Sequence, residues 1–484
     1  MAYEPVVGLE VHVQLKTVSK MFCGCTTEFG GAPNSHTCPV CLGFPGTLPV
    51  LNRRALVEAI KVALAVGCKV SQQVKFHRKN YFYPDLPKDY QISQYDEPLS
   101  ENGQLKITIE GKEKTIKIKR VHMEEDAGKL IHEEGGDSSF VDFNRSGMPL
   151  LEVVSEPDMN SPEEAYQYLT DLKLLLRYLD VSDCDMEKGS LRCDANISIR
   201  KKGETGLGTK AEVKNMNSFK AVKSALEFEF ERQSKCLEAG ERIIQETRLW
   251  DPDKGVTVSM RSKEEAHDYR YFPEPDLVPF VLEAAVVENE RKNLPELPEA
   301  RKARFIGALS LTEYDAEVLV QDKATADYFE ECVKFYNKPK AVSNWLMGDV
   351  SGYLNAKNLT VKDSKLKPQA LAGLLKEIDS GKISGKMAKD IIIEMLDTGK
   401  EAAAIISEKG LVQISDTGEL EKFAEEAIAE NAKTSEDFMN GKDNALMFLV
   451  GQVMKKTKGK ANPAVVNKIL RDKLSKNSKG EQNA

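Results

Sequence analysis

No apolar run in this 484-residue sequence is long enough to cross a bilayer; the longest, such as ALMFLVGQVM, reach about half of the roughly 20 residues a spanning helix needs. The N-terminus carries no basic, Arg- and Ser-rich leader, and patterned sequence begins by Gly8, so a cytoplasmic chain without a cleaved signal is expected. Nine cysteines, odd in number and unevenly clustered, exclude a disulfide framework and suit a reducing compartment. No Walker A motif is present. The nearest string, GETGLGTK, has Gly203 and Gly208 but Thr209 where the lysine should follow, and it reads as a hairpin turn between strands. Neither a Gly-x-Ser-x-Gly elbow nor a kinase signature occurs. Any phosphate chemistry must therefore rest on metals held by a sheet. A net charge of −8, from 68 basic and 76 acidic residues, excludes nucleic-acid binding by bulk charge. One segment runs against that balance: from Lys455 to Lys479 there are eight lysines and Arg471 against the single acid Asp472. Such an end is either a solvated terminus or a phosphate-binding patch.

The length implies about three domains. Up to about residue 290, alternating apolar runs are broken by Gly, Pro and Asn, and a few helices with clear start signals interrupt them. Asn52 opens NRRALVEAIKVALAVG and Ser218 opens SFKAVKSALEFEFERQ. Ser161 opens SPEEAYQYLTDLKLLLRYL, with Pro162 at the first helical position and Glu164 three residues on. Strands with a few long helices and no βαβ rhythm predict an α+β domain with a mainly antiparallel sheet. After Pro295 and Pro298 the alternation gives way to helical periodicity, and near Gly410 one helical run ends. The boundaries expected are 1–293, 294–409 and 410–484, the last combining an acidic amphipathic stretch around Glu419 to Glu430 with the basic end.

Two thiol pairs, Cys23-x-Cys25 and Cys38-x-x-Cys41, flank a Gly/Pro/Asn loop. Four sulfurs so spaced can surround a tetrahedral Zn²⁺. The alternatives are a redox pair at CPVC, which would leave Cys23 and Cys25 unexplained, and four free thiols. His36 could replace one sulfur. Cys68, Cys184, Cys193, Cys236 and Cys332 are isolated and are expected in the core.

The strand GLEVHVQL places Leu9, Val11, Val13 and Leu15 on one face and Glu10, His12 and Gln14 on the other. SLRCDANISIR alternates likewise and presents Arg192, Asp194 and Asn196. Glu212 stands between Ala211 and Val213, Glu152 between Leu151 and Val153, and IKIKRVHMEEDAGK ends in His122, Glu124, Glu125 and Asp126. Each alone reads as a solvated polar face. Together, several carboxylates and an imidazole with few lysines among them would repel one another unless cations sat between them, which suits Mg²⁺ or Mn²⁺ bridging nucleotide phosphates. In FHRKNYFYPDLPKDYQISQYDEP, aromatics interleave with Arg78, Lys79 and Lys88; such a loop either stacks bases and holds phosphates or packs rigidly on the core.

GLEVHVQL, RKNYFYPDLPKDYQISQYD, HMEEDAGK, FNRSGMPLLEVVSEPD, SLRCDANIS, KAEVKNMNSF, DYRYFPEPDLVP and SNWLMGDV together resemble the B subunit of the bacterial glutamyl-tRNA(Gln)/aspartyl-tRNA(Asn) amidotransferase, nearly end to end. The resemblance implies a cradle domain of glutamine synthetase type, a helical domain and a small helical tail that engages tRNA. It implies that ATP phosphorylates the side-chain carboxylate of Glu or Asp misacylated on tRNA. Ammonia from a separate amidase (A) subunit then displaces phosphate, and a small C subunit completes a heterotrimer. On this resemblance Glu10 and His12 match the metal-binding start, and Glu125, Glu152, Asp194 and Glu212 match the acidic positions of the cradle. Lys79 and Lys88 match polar positions near the ammonia route. The cysteine set varies within the family, so zinc at Cys23, Cys25, Cys38 and Cys41 would be structural. The prolines of LPELP lead straight into helices, as in the bacterial protein and unlike the archaeal relative with its inserted domain. A non-catalytic tRNA-binding scaffold would leave the carboxylates unexplained, and a self-sufficient amide ligase would need a glutamine-hydrolysing nucleophile of which the sequence shows no signature.

Overall fold

The computed structural model describes residues 2–132, 138–260, 269–411, 417–457 and 460–480. The alternation in GLEVHVQL becomes the middle of strand β1 (Tyr3–Gln14), whose Leu9, Val11 and Val13 are 1% exposed or less. Each such side chain contributes about 1.5–3 kcal/mol by leaving water. Eight further strands complete one sheet: β2 (Lys69–Val70), β3 (Ser100–Ile109), β4 (Lys112–Glu125), β5 (Pro149–Ser155), β6 (Leu191–Lys201), β7 (Ala211–Lys214), β8 (Glu246–Asp251) and β9 (Val256–Ser259). Their order is β9-β8-β7-β6-β1-β5-β4-β3-β2. Every adjacent pair is antiparallel except β7 and β8. The segment holding GETGLGTK joins β6 to its antiparallel neighbour β7, as a hairpin connection does.

Three helices supply the apolar cover: α1 (Arg53–Ala65), α2 (Pro162–Tyr178) and α3 (Phe219–Glu238). Asn52, Ser161 and Ser218 cap them as their sequences imply, each side chain accepting from a backbone N–H in the first turn. Ile60, Leu172, Leu176, Val222 and Leu226 from these helices share one core with Val11, Val13, Leu151, Val153, Val121, Met123 and Ile197 from the sheet. Because α3 connects β7 to β8, those two strands run parallel. Among the described strands it is the one crossover that joins hydrogen-bonded neighbours, and alternation in the sequence does not signal it. With its apolar face covered, the sheet keeps its polar residues for the opposite face.

The chain divides into two compact units, Met1–Pro298 and Glu299–Ala484. Described elements of the second unit are all helical. One of its cores gathers Phe305, Phe329, Leu346, Leu371, Ile392 and Ile405; another gathers Leu420, Ala424, Leu449, Val453 and Leu470. Gly399 and Gly410 end their helices in the left-handed conformation that glycine adopts without a steric cost. In the segment from Lys455 to Lys479, Lys458 and the side chains of Lys476 and Lys479 lie outside the described residues. The acidic helix Thr417–Glu430 takes up part of the remaining basic charge. Lys456 pairs with Glu426 at 2.9 Å and Glu430 at 2.7 Å, and Lys473 pairs with Glu425 at 2.7 Å. No described helix is long and apolar enough to cross a membrane.

Candidate active site

Register, rather than proximity in sequence, assembles the polar face. His12 on β1 stands opposite Glu152 on β5, which stands opposite His122 on β4. Glu124, two residues after His122, shares that face. His12 Nε2 lies 3.5 Å from Glu124 Oε1 and 3.9 Å from Glu152 Oε2, and His122 Nε2 lies 3.1 Å from Glu152 Oε2. Ligand atoms of His12, Glu124 and Glu152 all fall within 4.8 Å of one another. Both carboxylates are buried, at 1% and 7% exposure. Burial alone would raise the Glu152 carboxyl, but the charge of His122, its hydrogen bond, and the charges of His12 and Lys79 hold it well below the usual range. The separations from His12 Nε2 are too long for good hydrogen bonds. One imidazole and two buried carboxylates so spaced fit a hard divalent cation between them.

Beside this group lies a second one. Glu10 stands opposite Asp194 on β6, and Glu212 on β7 stands opposite Asn196. Burial raises the Glu10 carboxyl, and Glu152, Glu212 and Asp194 push it in the same direction. Asn196 Nδ2 donates to Glu10 at 2.9 Å, and Thr247 Oγ1 donates to Glu212 at 2.8 Å. Lys214 bridges the remaining acids, with Nζ 2.9 Å from Asp194 and 3.1 Å from Glu212. Arg192, next to His12 across the strands, turns away to Asp126 at 2.8 Å.

Glu125 is not brought to either group. It pairs with Pro149 where Glu124 pairs with Leu150, so the pleat turns it to the other side of the sheet. There its carboxylate accepts from Lys88 Nζ and from the Ile92 backbone N–H at 2.9 Å. The pair lines a cavity of ≈ 210 Å³ together with Cys23, Cys41 and Tyr90. Lys79 is separated from Lys88 in the same way. Its ammonium lies 5.0 Å from the Tyr269 ring centre, and although burial opposes its charge, Glu124 and Glu152 favour it. His122 and Glu124 were visible in the sequence as outward residues of an alternating strand. Counting outward from core residues Val121 and Met123 selects Glu124 over Glu125.

The four sulfurs of Cys23, Cys25, Cys38 and Cys41 also lie within 4.8 Å of one another, and His36 is not among them. The Cys38 backbone N–H donates to Cys41 Sγ at 3.1 Å. A hydrogen bond from Cys23 draws the Cys41 thiol down to about 5 against the effect of burial, with the Cys38 N–H and Lys20 acting in the same direction. A thiolate already favoured among four convergent sulfurs fits a soft divalent metal such as zinc. All nine cysteines are free. Cys68, Cys184, Cys193 and Cys332 are buried as expected. Cys236 is not, because α3 ends beside it and its Sγ turns to Glu241 and the Arg242 carbonyl at the surface.

A helix-backed sheet that gathers imidazole and carboxylates on its open face, followed by a helical unit, defines an α+β catalytic domain with a helical C-terminal region. Residues 5–288 match the family model described as the GatB/GatE catalytic domain, and residues 327–474 match the GatB domain. The B subunit of the aspartyl/glutamyl-tRNA(Asn/Gln) amidotransferase of Carboxydothermus hydrogenoformans is 57% identical over 477 residues, spanning 98% of this chain and 99% of that protein. The corresponding B subunits of a Thermoanaerobacter species (57% over 476 residues) and of Geotalea daltonii (56% over 477 residues) each span 98% of this chain and 100% of their own length. The chain belongs to the GatB family of amidotransferase B subunits.

Proposed function

We propose that this chain is the subunit of a tRNA-dependent amidotransferase that uses ATP to activate the side-chain carboxylate of Glu or Asp misacylated on tRNA and converts it to the amide. The observation that carries this reading is the convergence of His12, Glu124 and Glu152, with Glu10, Asp194 and Glu212 alongside, in a chain of this family. His12, Glu124 and Glu152 would hold one Mg²⁺ or Mn²⁺. Glu10, Asp194 and Glu212 would hold another after Lys214 is displaced. Bound there, the ions supply positive charge that neutralises the triphosphate and the transferring phosphoryl group. Lys79, held charged beside Glu124 and Glu152, adds a cation for a phosphate oxygen.

In the first step a side-chain carboxylate oxygen of the misacylated residue attacks the γ-phosphorus of ATP and ADP departs. Ammonia then attacks the acyl carbon of the mixed anhydride, phosphate leaves with the bonding electrons, and one proton passes to it or to solvent. Neither step needs a protein nucleophile, which accounts for the missing Ser and Cys motifs. Ammonia would come from an amidase A subunit, with a small C subunit completing a heterotrimer in the cytoplasm. Residues 1–293 would form the cradle, of glutamine synthetase type with a zinc-binding insertion, 294–409 a helical domain, and 410–484 a tail that contacts tRNA. The test is amidation of both misacylated tRNAs with ATP and free ammonium. Glu152→Gln should lower the rate about 100-fold or more, the scale expected when one electrostatic interaction with the transition state is removed, while tRNA binding is kept. Wild-type amidation by Glu152→Gln would make these acids a buried structural ion-pair group without a role in the chemistry.

A further inference from the structure

Lys20 is wholly buried, at 0% exposure, and among the described residues no carboxylate lies within ion-pair reach of its ammonium. Its three N–H donors have two partners, the Phe143 carbonyl at 3.4 Å and Cys41 Sγ at 3.7 Å. The fold fixes it there from both ends. Its backbone N–H donates to the Cys25 carbonyl at 3.0 Å, and Asn52 Nδ2 donates to its carbonyl at 3.2 Å. Its stem runs past Gly147, where an added Cβ would lie 3.6 Å from Lys20 Cδ and 3.4 Å from Cys41 Cβ. Gly147 has φ +80°, a left-handed conformation that glycine adopts without steric cost, and it packs against both the Lys20 stem and Cys41. The nearby carboxylate of Glu125 is already engaged by Lys88 and the Ile92 N–H.

An ammonium taken wholly out of water without a counter-charge is strongly unfavourable. The sulfur it faces is one of four that converge, and four thiolates around a divalent ion leave two negative charges uncompensated. The two anomalies resolve each other. We propose that Lys20 is the built-in counter-ion of the four-cysteine site, neutralising excess charge at the Cys41 sulfur and so setting how tightly the site holds a soft divalent metal. This rests on the metal-binding reading of the four cysteines and is independent of the amidation chemistry.

The test uses the full chain as wild type, Lys20→Met, Lys20→Gln and Lys20→Arg, each checked for wild-type thermal unfolding at saturating zinc. Zinc affinity is measured at fixed pH by competition with a chromophoric chelator, and Co²⁺ is then substituted as a spectroscopic probe. Lys20→Met should bind zinc about 10–100-fold more weakly, the usual effect of losing a group that supports a metal ligand. Its sulfur-to-cobalt charge-transfer band should move to lower energy, because the Cys41 thiolate loses its ammonium donor. Lys20→Gln, which keeps a donor without the charge, gives the same reading if the methionine variant does not fold, and Lys20→Arg should recover affinity and band. Neutral variants with wild-type affinity and an unshifted band would overturn the proposal and make Lys20 a packing residue. A wild-type chain that takes up neither zinc nor cobalt would instead remove the metal-binding reading, and the proposal with it.

Discussion

Glu124 and Glu125 are adjacent in the chain and act on opposite sides of a sheet. Glu124 faces His12, and Glu125 is paired with Lys88 next to the cysteine cluster. Glu124→Gln should therefore lower amidation with ATP and free ammonium about 100-fold without a large loss of stability. Glu125→Gln breaks a buried ion pair, so it should cost about 3–5 kcal/mol in stability and reduce ammonium-dependent amidation far less. Chemical denaturation and the rate assay on both variants separate the two; a reversed order would mean that Glu125 serves the phosphoryl transfer. Glu229 offers a second check at this scale. It is fully buried on α3 and accepts from Arg232 at 2.8 Å, pairing also with Arg248 at 2.9 Å. Burial opposes its charge, but hydrogen bonds from Arg232, Thr257 and Gln233 hold its carboxyl below the usual value. Its contribution is therefore complete above the unfolded value of about 4.3 and is lost as pH falls through the lower folded one. The Tm gap between wild type and Glu229→Gln should be widest near neutrality and shrink below about pH 4; a gap that widens on acidification would contradict this. Glu10, His12, Glu152 and Asp194 were legible from alternation alone. Their partners were not, because the register that sets His12 against Glu152 and His122 joins segments more than 100 residues apart.

At the scale of elements, helix starts were the most legible feature, since a cap acts within four residues. Asn52, Ser161 and Ser218 all perform the role their positions suggest. Strand direction was less so. Alternation around Glu212 identifies β7 as pleated but says nothing about its sense relative to β8, which the α3 crossover decides. The basic end shows the same limit: residue counts cannot show that Lys456 and Lys473 are paired with the acidic helix, whereas Lys455 and Lys468 have no ion pair among the described residues. Truncation from Lys455 would also remove Leu470 and expose the core that holds Leu449 and Val453. Reversing charge is the cleaner experiment. Lys455→Glu with Lys468→Glu should weaken tRNA binding and flatten its salt dependence by about one unit of slope for each phosphate no longer neutralised. Unchanged affinity and slope would make these lysines ordinary solvated charges.

At the scale of the whole molecule, a catalytic α+β unit and a helical unit share one chain, and the proposed reaction would assign them different parts of one substrate, the acyl end to the sheet face and the tRNA backbone to residues elsewhere. On the proposed reaction, such a division would let the face of Glu10, His12, Glu124 and Glu152 concentrate on phosphoryl transfer. It places the central claim in one bond, between a side-chain carboxylate oxygen and the γ-phosphorus. The direct measurement supplies misacylated tRNA whose aminoacyl side-chain carboxylate carries ¹⁸O at both oxygens, with ATP, Mg²⁺ and ammonium, and determines the isotope in the released phosphate by mass spectrometry. One ¹⁸O in each phosphate formed along with the amide is the expected result, because that oxygen leaves with phosphorus when ammonia attacks. Phosphate free of ¹⁸O while amide still accumulates would contradict activation of the carboxylate by ATP on this chain.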